Sequence, residues 1–167
     1  MRARAIFWSL FFLVLAVVLQ TTLFSRLAQF RIFPDVVLLV VILSARWLDP
    51  DPALLLGFTG GVAVDLLGTT PLGLRALVMT LVAYASVKTV DRFDLNPISL
   101  LISAVVLSLL GVVLLAVLGT LFGQGSLAEG NVVRTILLVP VFNGILALVV
   151  ATPMRRLMTA SNAGAML

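Results

Sequence analysis

Long unbroken runs of Leu, Val, Ala, Ile and Phe, the first from Ala5 to Leu19, leave this chain few ways to fold. A bilayer core is matched by about 20 apolar residues in a helix. Inside lipid every backbone N–H and C=O must find a partner within the protein, so helices and closed barrels are the available solutions. Barrel strands alternate polar and apolar residues. These runs do not alternate, which leaves helices. Composition agrees: of 167 residues, 62% are hydrophobic and only 11% are charged, where about a quarter is usual in soluble domains.

Turn signals divide the chain into six segments, predicted as helices over about 5–24, 34–48, 52–68, 72–90, 97–122 and 131–157. The expected fold class is all-α: a polytopic membrane protein, a compact bundle of six transmembrane helices in one domain over 1–157, with a loose tail over 158–167. Asp49-Pro50-Asp51-Pro52 is a strong turn, because two prolines each follow an aspartate able to cap. Thr69 to Gly73 is a short turn, Asp91 to Asn96 a charged loop, and Gly123 to Gly130 a glycine-rich loop. Pro34 suits a first helical turn, where its missing N–H is no loss. Pro140 predicts a kink in the sixth helix. The second and third segments are short, since about 15 residues rise about 23 Å against a core of about 30 Å. They read either as short spans with local bilayer thinning or as a re-entrant hairpin. Both readings keep the termini on one side.

Arg2 and Arg4 precede the first run, but Gln20-Thr21-Thr22-Leu23 offers no small-residue cleavage site, so a retained helix is expected. With six spans and the N-terminus inside, inner ends hold Arg2, Arg4, Arg46, Lys88, Arg92, Arg155 and Arg156, and outer ends hold Arg26, Arg31, Arg75 and Arg134. The excess of basic residues on the inner ends places both termini in the cytoplasm. Trp8 and Trp47 then share the cytoplasmic interface, where indoles prefer to sit.

The third segment carries the most information. Gly57, Gly61, Asp65 and Gly68 fall on one face of an ideal helix, within an arc of about 80°. A Gly-x-x-x-Gly pair lets another backbone approach closely, so the stripe is a packing surface, within the chain or against a partner. An aspartate in a span is costly, and near a helix C-terminus the dipole opposes it. Asp65 therefore calls for a cationic or hydrogen-bonding partner. Arg75 is the first candidate, with Arg31 and Arg134 on the same side. Its role is read as register-fixing, partner-binding or solute coupling. Asp35, beside Pro34, reads as an N-terminal cap. Asn143, with Ala147 and Ala151, marks a small-residue face whose amide can bond across helices. Tyr84 and Lys88 suit the inner interface.

The chain has no cysteine and no histidine, which removes thiol chemistry, imidazole catalysis and the usual zinc sites. No Gly-x-Ser-x-Gly or P-loop pattern occurs. The reading is of a protein that is not an enzyme and needs no cofactor or metal. The formal charge of +4 reads as topology and attraction to membrane lipid, not as nucleic-acid binding.

Pro34-Asp35-Val36-Val37-Leu38-Leu39, then Gly57-Phe58-Thr59-Gly60-Gly61-Val62-Ala63-Val64-Asp65-Leu66, then Pro71-Leu72-Gly73 stand in an order that resembles the MreD family of rod shape-determining proteins. The resemblance implies a scaffold of the bacterial elongation machinery in the cytoplasmic membrane, without catalytic residues. It implies binding to MreC, a single-pass protein, and linkage of MreB filaments to peptidoglycan synthesis by RodA and a class B penicillin-binding protein. The family is also distantly similar to the six-helix substrate-binding subunits of vitamin transporters, so a small-solute binding subunit is the alternative. That alternative requires a polar or aromatic pocket at the outer side, whereas both Trp residues map to the inner side. The candidate partner-binding or register-fixing residues are Pro34, Asp35, Gly57, Gly61, Asp65, Gly68 and Arg75.

Overall fold

A computed structural model describes residues 2–26, 34–68, 71–89, 96–124 and 132–159. The Thr69–Thr70 part of the predicted turn, residues 91–95, residues 125–130, Arg31 and the tail beyond Thr159 lie outside the described residues. The described residues form six helices: α1 (Arg2–Arg26), α2 (Val36–Ser44), α3 (Pro50–Leu67), α4 (Leu74–Thr89), α5 (Pro97–Leu121) and α6 (Val132–Thr159). The class is all-α as expected. Four of them, α1, α3, α5 and α6, are long and apolar enough to cross a membrane.

The second segment differs from the expectation of 34–48. It is a helix of nine residues, Val36–Ser44, rising about 14 Å, less than half the bilayer core. Asp35 caps its start, so Pro34 stands before the cap and not in the first turn. Its end tightens into short turns, with Arg46 N–H donating to the Leu43 carbonyl and Trp47 N–H to the Ser44 carbonyl. The third segment is longer than expected. It begins at Pro50, and both Pro50 and Pro52 sit in the first turn, where an amide has no intrahelical acceptor.

A helix apolar on all sides is either buried in a protein core or set in lipid. VVLLVVILS is such a sequence, and all nine of its residues are buried. The contacts explain how. α1 meets α3, α3 meets α4, α4 meets α5, α5 meets α6, and α6 meets α1, while α2 touches all five. The fold is a closed ring of five helices around a short central one. Among the described residues no ring helix contacts one across the ring.

The core has two parts. One joins α2 to α1, α3 and α4 through Leu13, Val37, Val41, Leu56, Met79 and Val82. The other joins Leu39 and Leu43 of α2 to Leu100, Ala104, Ala147 and Met154, with Trp8 and Trp47 packed against it. Trp8 near the start of α1 and Met158 near the end of α6 share this second cluster. The first turns of α1 and the last turns of α6 therefore lie at one end of the bundle. The outward surface is apolar instead, with Phe7, Phe11, Val14, Leu67, Val106 and Val149 among the exposed residues. Helix α6 continues through Pro140 and Pro153. At the end of α5, Gly123 takes φ +78 and Gln124 N–H closes on the Gly119 carbonyl, a glycine-dependent helix stop.

Stability should therefore depend on α2 far more than on the ring's outer faces. Leu39→Ala, at a site with no exposure, should lower stability by about 2–5 kcal/mol. Val149→Ala, at a position 66% exposed to the surroundings, should change the midpoint of thermal unfolding in detergent little.

Candidate functional site

A short helix that starts inside the bundle exposes its first amides where water cannot serve them. Two side chains answer this at α2, and a third bonds the cap carbonyl. Val37 N–H donates to Gln20 Oε1 of α1 at 3.1 Å. Leu38 N–H donates to Asp35 Oδ1 at 3.0 Å, the expected N-terminal cap. The Asp35 carbonyl, which takes the Leu39 N–H, also accepts from Asn143 Nδ2 of α6 at 3.2 Å. Asn143 Nδ2 donates in addition to Ser108 Oγ of α5 at 3.0 Å. Ser108 is the twelfth of the 25 residues of α5 and Asn143 the twelfth of the 28 of α6. The start of α2 thus lies at mid-height of α5 and α6.

The other face of Asp35 meets a cation. Its Oδ2 pairs with Arg75 Nη1 of α4 at 3.1 Å, with side chains only 16% and 23% exposed respectively. Arg75 in turn leads to Asp65, but through its main chain. Asp65 is 3% exposed in the last turn of α3. Its Oδ2 accepts from Gly73 N–H at 2.9 Å, Arg75 N–H at 3.1 Å and Ala76 N–H at 3.3 Å. The expectation of an Arg75 partner for Asp65 is met by the amide, while the guanidinium goes to Asp35. The reason lies in chain position. Arg75 is the second residue of α4, so its N–H is one of the unpaired donors of a helix start. The dipole that opposes Asp65 at its own helix end is offset by the positive end of α4. Gly73 completes the arrangement with φ +94, a left-handed turn that favours glycine.

Among the described residues, two carboxylates face one guanidinium and two helix N-termini, each equivalent to roughly half a positive charge. One connected network, Gln20–Val37, Asp35–Arg75, Asp65–Arg75 and Asn143–Ser108, ties all six helices together.

The glycine stripe faces α4 within the chain. A Cβ on Gly57 would lie 2.7 Å from the Met79 carbonyl oxygen, and one on Gly61 2.3 Å from the Ala76 Cα. Backbone meets backbone there, as a Gly-x-x-x-Gly pair permits. Gly68 departs from the stripe, exposed at the C-terminal cap of α3. Gly60, not singled out in the sequence, faces the other way, where a Cβ would meet the Leu13 side chain at 2.8 Å. Gln20 is not among the sequence-derived candidates, although a lone amide within an apolar run is a signal in itself. Away from this network, Arg46 Nη2 donates to Ser103 Oγ at 2.9 Å, and Lys88 Nζ lies 5.6 Å from the Tyr84 ring centroid.

Chemically, the network can hold helices in register. Its acidic and amide groups already accept from or donate to backbone. Among the described residues no three His, Cys, Asp or Glu side chains come together as a metal site.

Comparison with protein-family models matches residues 1–160 to the family described as rod shape-determining protein MreD. The chain belongs to the MreD family. The match takes in all six helices, since α6 ends at Thr159. No curated protein and no solved structure matches the chain. The MreD family is one of shape-determining structural proteins, so the chain has a role in rod-shape determination. The residues that carry the resemblance now have places in the fold. Pro34-Asp35 opens and caps α2, Gly57 to Asp65 forms the seam with α4, and Leu72-Gly73 makes the turn that delivers amides to Asp65.

Substitutions in this MreD-family network should separate by geometry. Asp65→Ala removes the acceptor shared by three amides and should cost about 2 kcal/mol or more, the upper end for a lost cap. Gly61→Ala, which drives a methyl into backbone, should destabilise more than Gly60→Ala, which meets a movable leucine end. Thermal unfolding of the detergent-solubilised variants checks both orders.

Proposed function

We propose that this chain is a non-enzymatic membrane scaffold of the bacterial cell-elongation machinery. It crosses the cytoplasmic membrane with both termini inside, binds MreC, and helps couple MreB filaments to peptidoglycan synthesis by RodA and a class B penicillin-binding protein. The match to the MreD family over 1–160 carries this reading. The geometry supports it: Asp35, Asp65, Arg75 and the Asn143 amide nitrogen are engaged in caps and cross-links, an arrangement suited to rigidity.

The orientation follows from charge. The start of α1 and the end of α6 share one end of the bundle, and Arg2, Arg4, Arg155 and Arg156 belong to those segments. Basic residues mark the cytoplasmic side. Gly57, Gly61 and Asp65 then serve partner binding from inside, by fixing α3 against α4, while Gly68 stands exposed near the tip of that pair.

The test is co-expression of the tagged full-length chain with MreC from the same bacterium. MreC should remain with it through size exclusion in mild detergent, and depletion of the chain should turn rod-shaped cells round. A monodisperse chain that retains no MreC, or depletion that leaves rods unchanged, overturns the reading.

A further inference from the structure

Beside the Asp35–Arg75 pair, where α2, α4 and α5 meet, lies a small cavity of about 20 Å³. One water needs about 10–15 Å³ of room for its centre. The two charged side chains border the cavity, and the rest of its wall is apolar, with Leu38, Met79, Gly111 and Val112 among the lining residues. Gly111 leaves room there, since a Cβ at that position would lie 2.8 Å from Leu38 Cδ2. An apolar void stays dry, but a polar one holds water when at least two groups can bond it. Both kinds of group are present. Asp35 accepts from the Leu38 N–H through Oδ1 and from Arg75 Nη1 through Oδ2, and each carboxylate oxygen has a further lone pair. A guanidinium carries five N–H donors. Among the described residues only Nη1 of Arg75 has a side-chain acceptor, which is Asp35. The pair lies near mid-height of α5, where lipid offers no acceptor and an unmet donor is costly.

We propose that this cavity binds one ordered water, which accepts from the Arg75 guanidinium and donates to the Asp35 carboxylate. The occupant is chosen by size and by charge. The space suits a single small molecule. The carboxylate disfavours an anion and the guanidinium disfavours a cation. A water offers a lone pair to one group and a proton to the other. The bridge hydrates the ion pair at a depth that bulk water does not reach, and it leaves the direct contact at 3.1 Å in place.

X-ray hydroxyl-radical footprinting of the full-length chain in detergent tests this, because radiolysis of a held water oxidises the side chains around it. Met79 and Met154 are both buried, at 2% and 0% exposure, but Met79 borders the cavity and Met154 does not. Met79 should be oxidised several-fold faster than Met154. A radical scavenger in the bulk should suppress labelling of the exposed Tyr84 and spare Met79. Gly111→Ala, whose methyl takes up room beside Leu38, should bring Met79 down to the rate of Met154 while the protein stays monodisperse and equally helical. Val112→Ile, which adds a methyl from a half-buried position in the wall, should lower the Met79 rate in the same direction. Equal rates at Met79 and Met154 in the unaltered chain overturn the proposal, whether or not the variants fold. So does suppression of Met79 by the scavenger as strong as that of Tyr84, which would mean that bulk water enters an open cleft. A Met79 rate unchanged in both folded variants overturns it as well.

Discussion

The start of α2 dictates much of this structure. A helix of nine residues cannot cross a bilayer, so one of its ends must lie inside the apolar layer, where an unpaired amide costs several kcal/mol. The amides at that end cannot be left to solvent, and they cannot be removed. The chain supplies an acceptor from α1 and one from the cap residue itself. A carboxylate placed at that depth to cap a helix then creates a second problem, a charge in lipid. Arg75 answers it, and the position of Arg75 is fixed in turn by where α4 begins.

That second dependence explains the α3–α4 pair. Asp65 gathers the first amides of α4, which sets the height of α4 relative to α3. Gly57 and Gly61 let the two backbones come close enough for the carboxylate to reach. Neither feature suffices alone. Without the glycines the helices stand apart and the carboxylate loses its donors. Without the carboxylate the close-packed seam has no polar mark to fix its register, since dispersion between apolar helices in lipid discriminates poorly among neighbouring registers. The ion pair to Asp35 then transmits that register to the central helix, and Asn143 carries it on to α5 and α6.

Much of this was legible in the residues, and the failures have physical causes. The apolar runs gave the helices. Asp35 reads as a cap from its place before VVLLVV, and Asn143 as a cross-link from being a lone amide in an apolar face. The extent of α2 was not legible. A stretch such as Val36–Leu43 is equally apolar whether it spans or merely fills a ring, and burial by protein or by lipid leaves the same composition. The partners of Asp65 were legible in kind and not in detail. Sequence ranks side chains as partners, whereas the structure uses backbone N–H groups, which every residue carries and which no residue name reveals. Gly73 was the available clue, a residue able to turn the chain back upon the carboxylate. The glycine stripe could be read as a packing face but not assigned to an inner or an outer neighbour, because the same spacing serves both.

A bundle built this way has a consequence for how it can work. A transporter must keep two arrangements close in energy, which requires polar groups that exchange partners. Here Asp35, Asp65 and Arg75 bind features that cannot move without breaking a helix start. Shifting α4 by one turn would strip Asp65 of its amides and Asp35 of its cation together, leaving two carboxylates in lipid. The network therefore acts as a lock, and that rigidity suits the proposed scaffold function. Under the proposed function, recognition falls on the outside of the ring, where most of the exposed described residues are Leu, Val, Ile and Phe. On such a surface shape and the few basic residues at its rims are what a partner helix or a lipid can read.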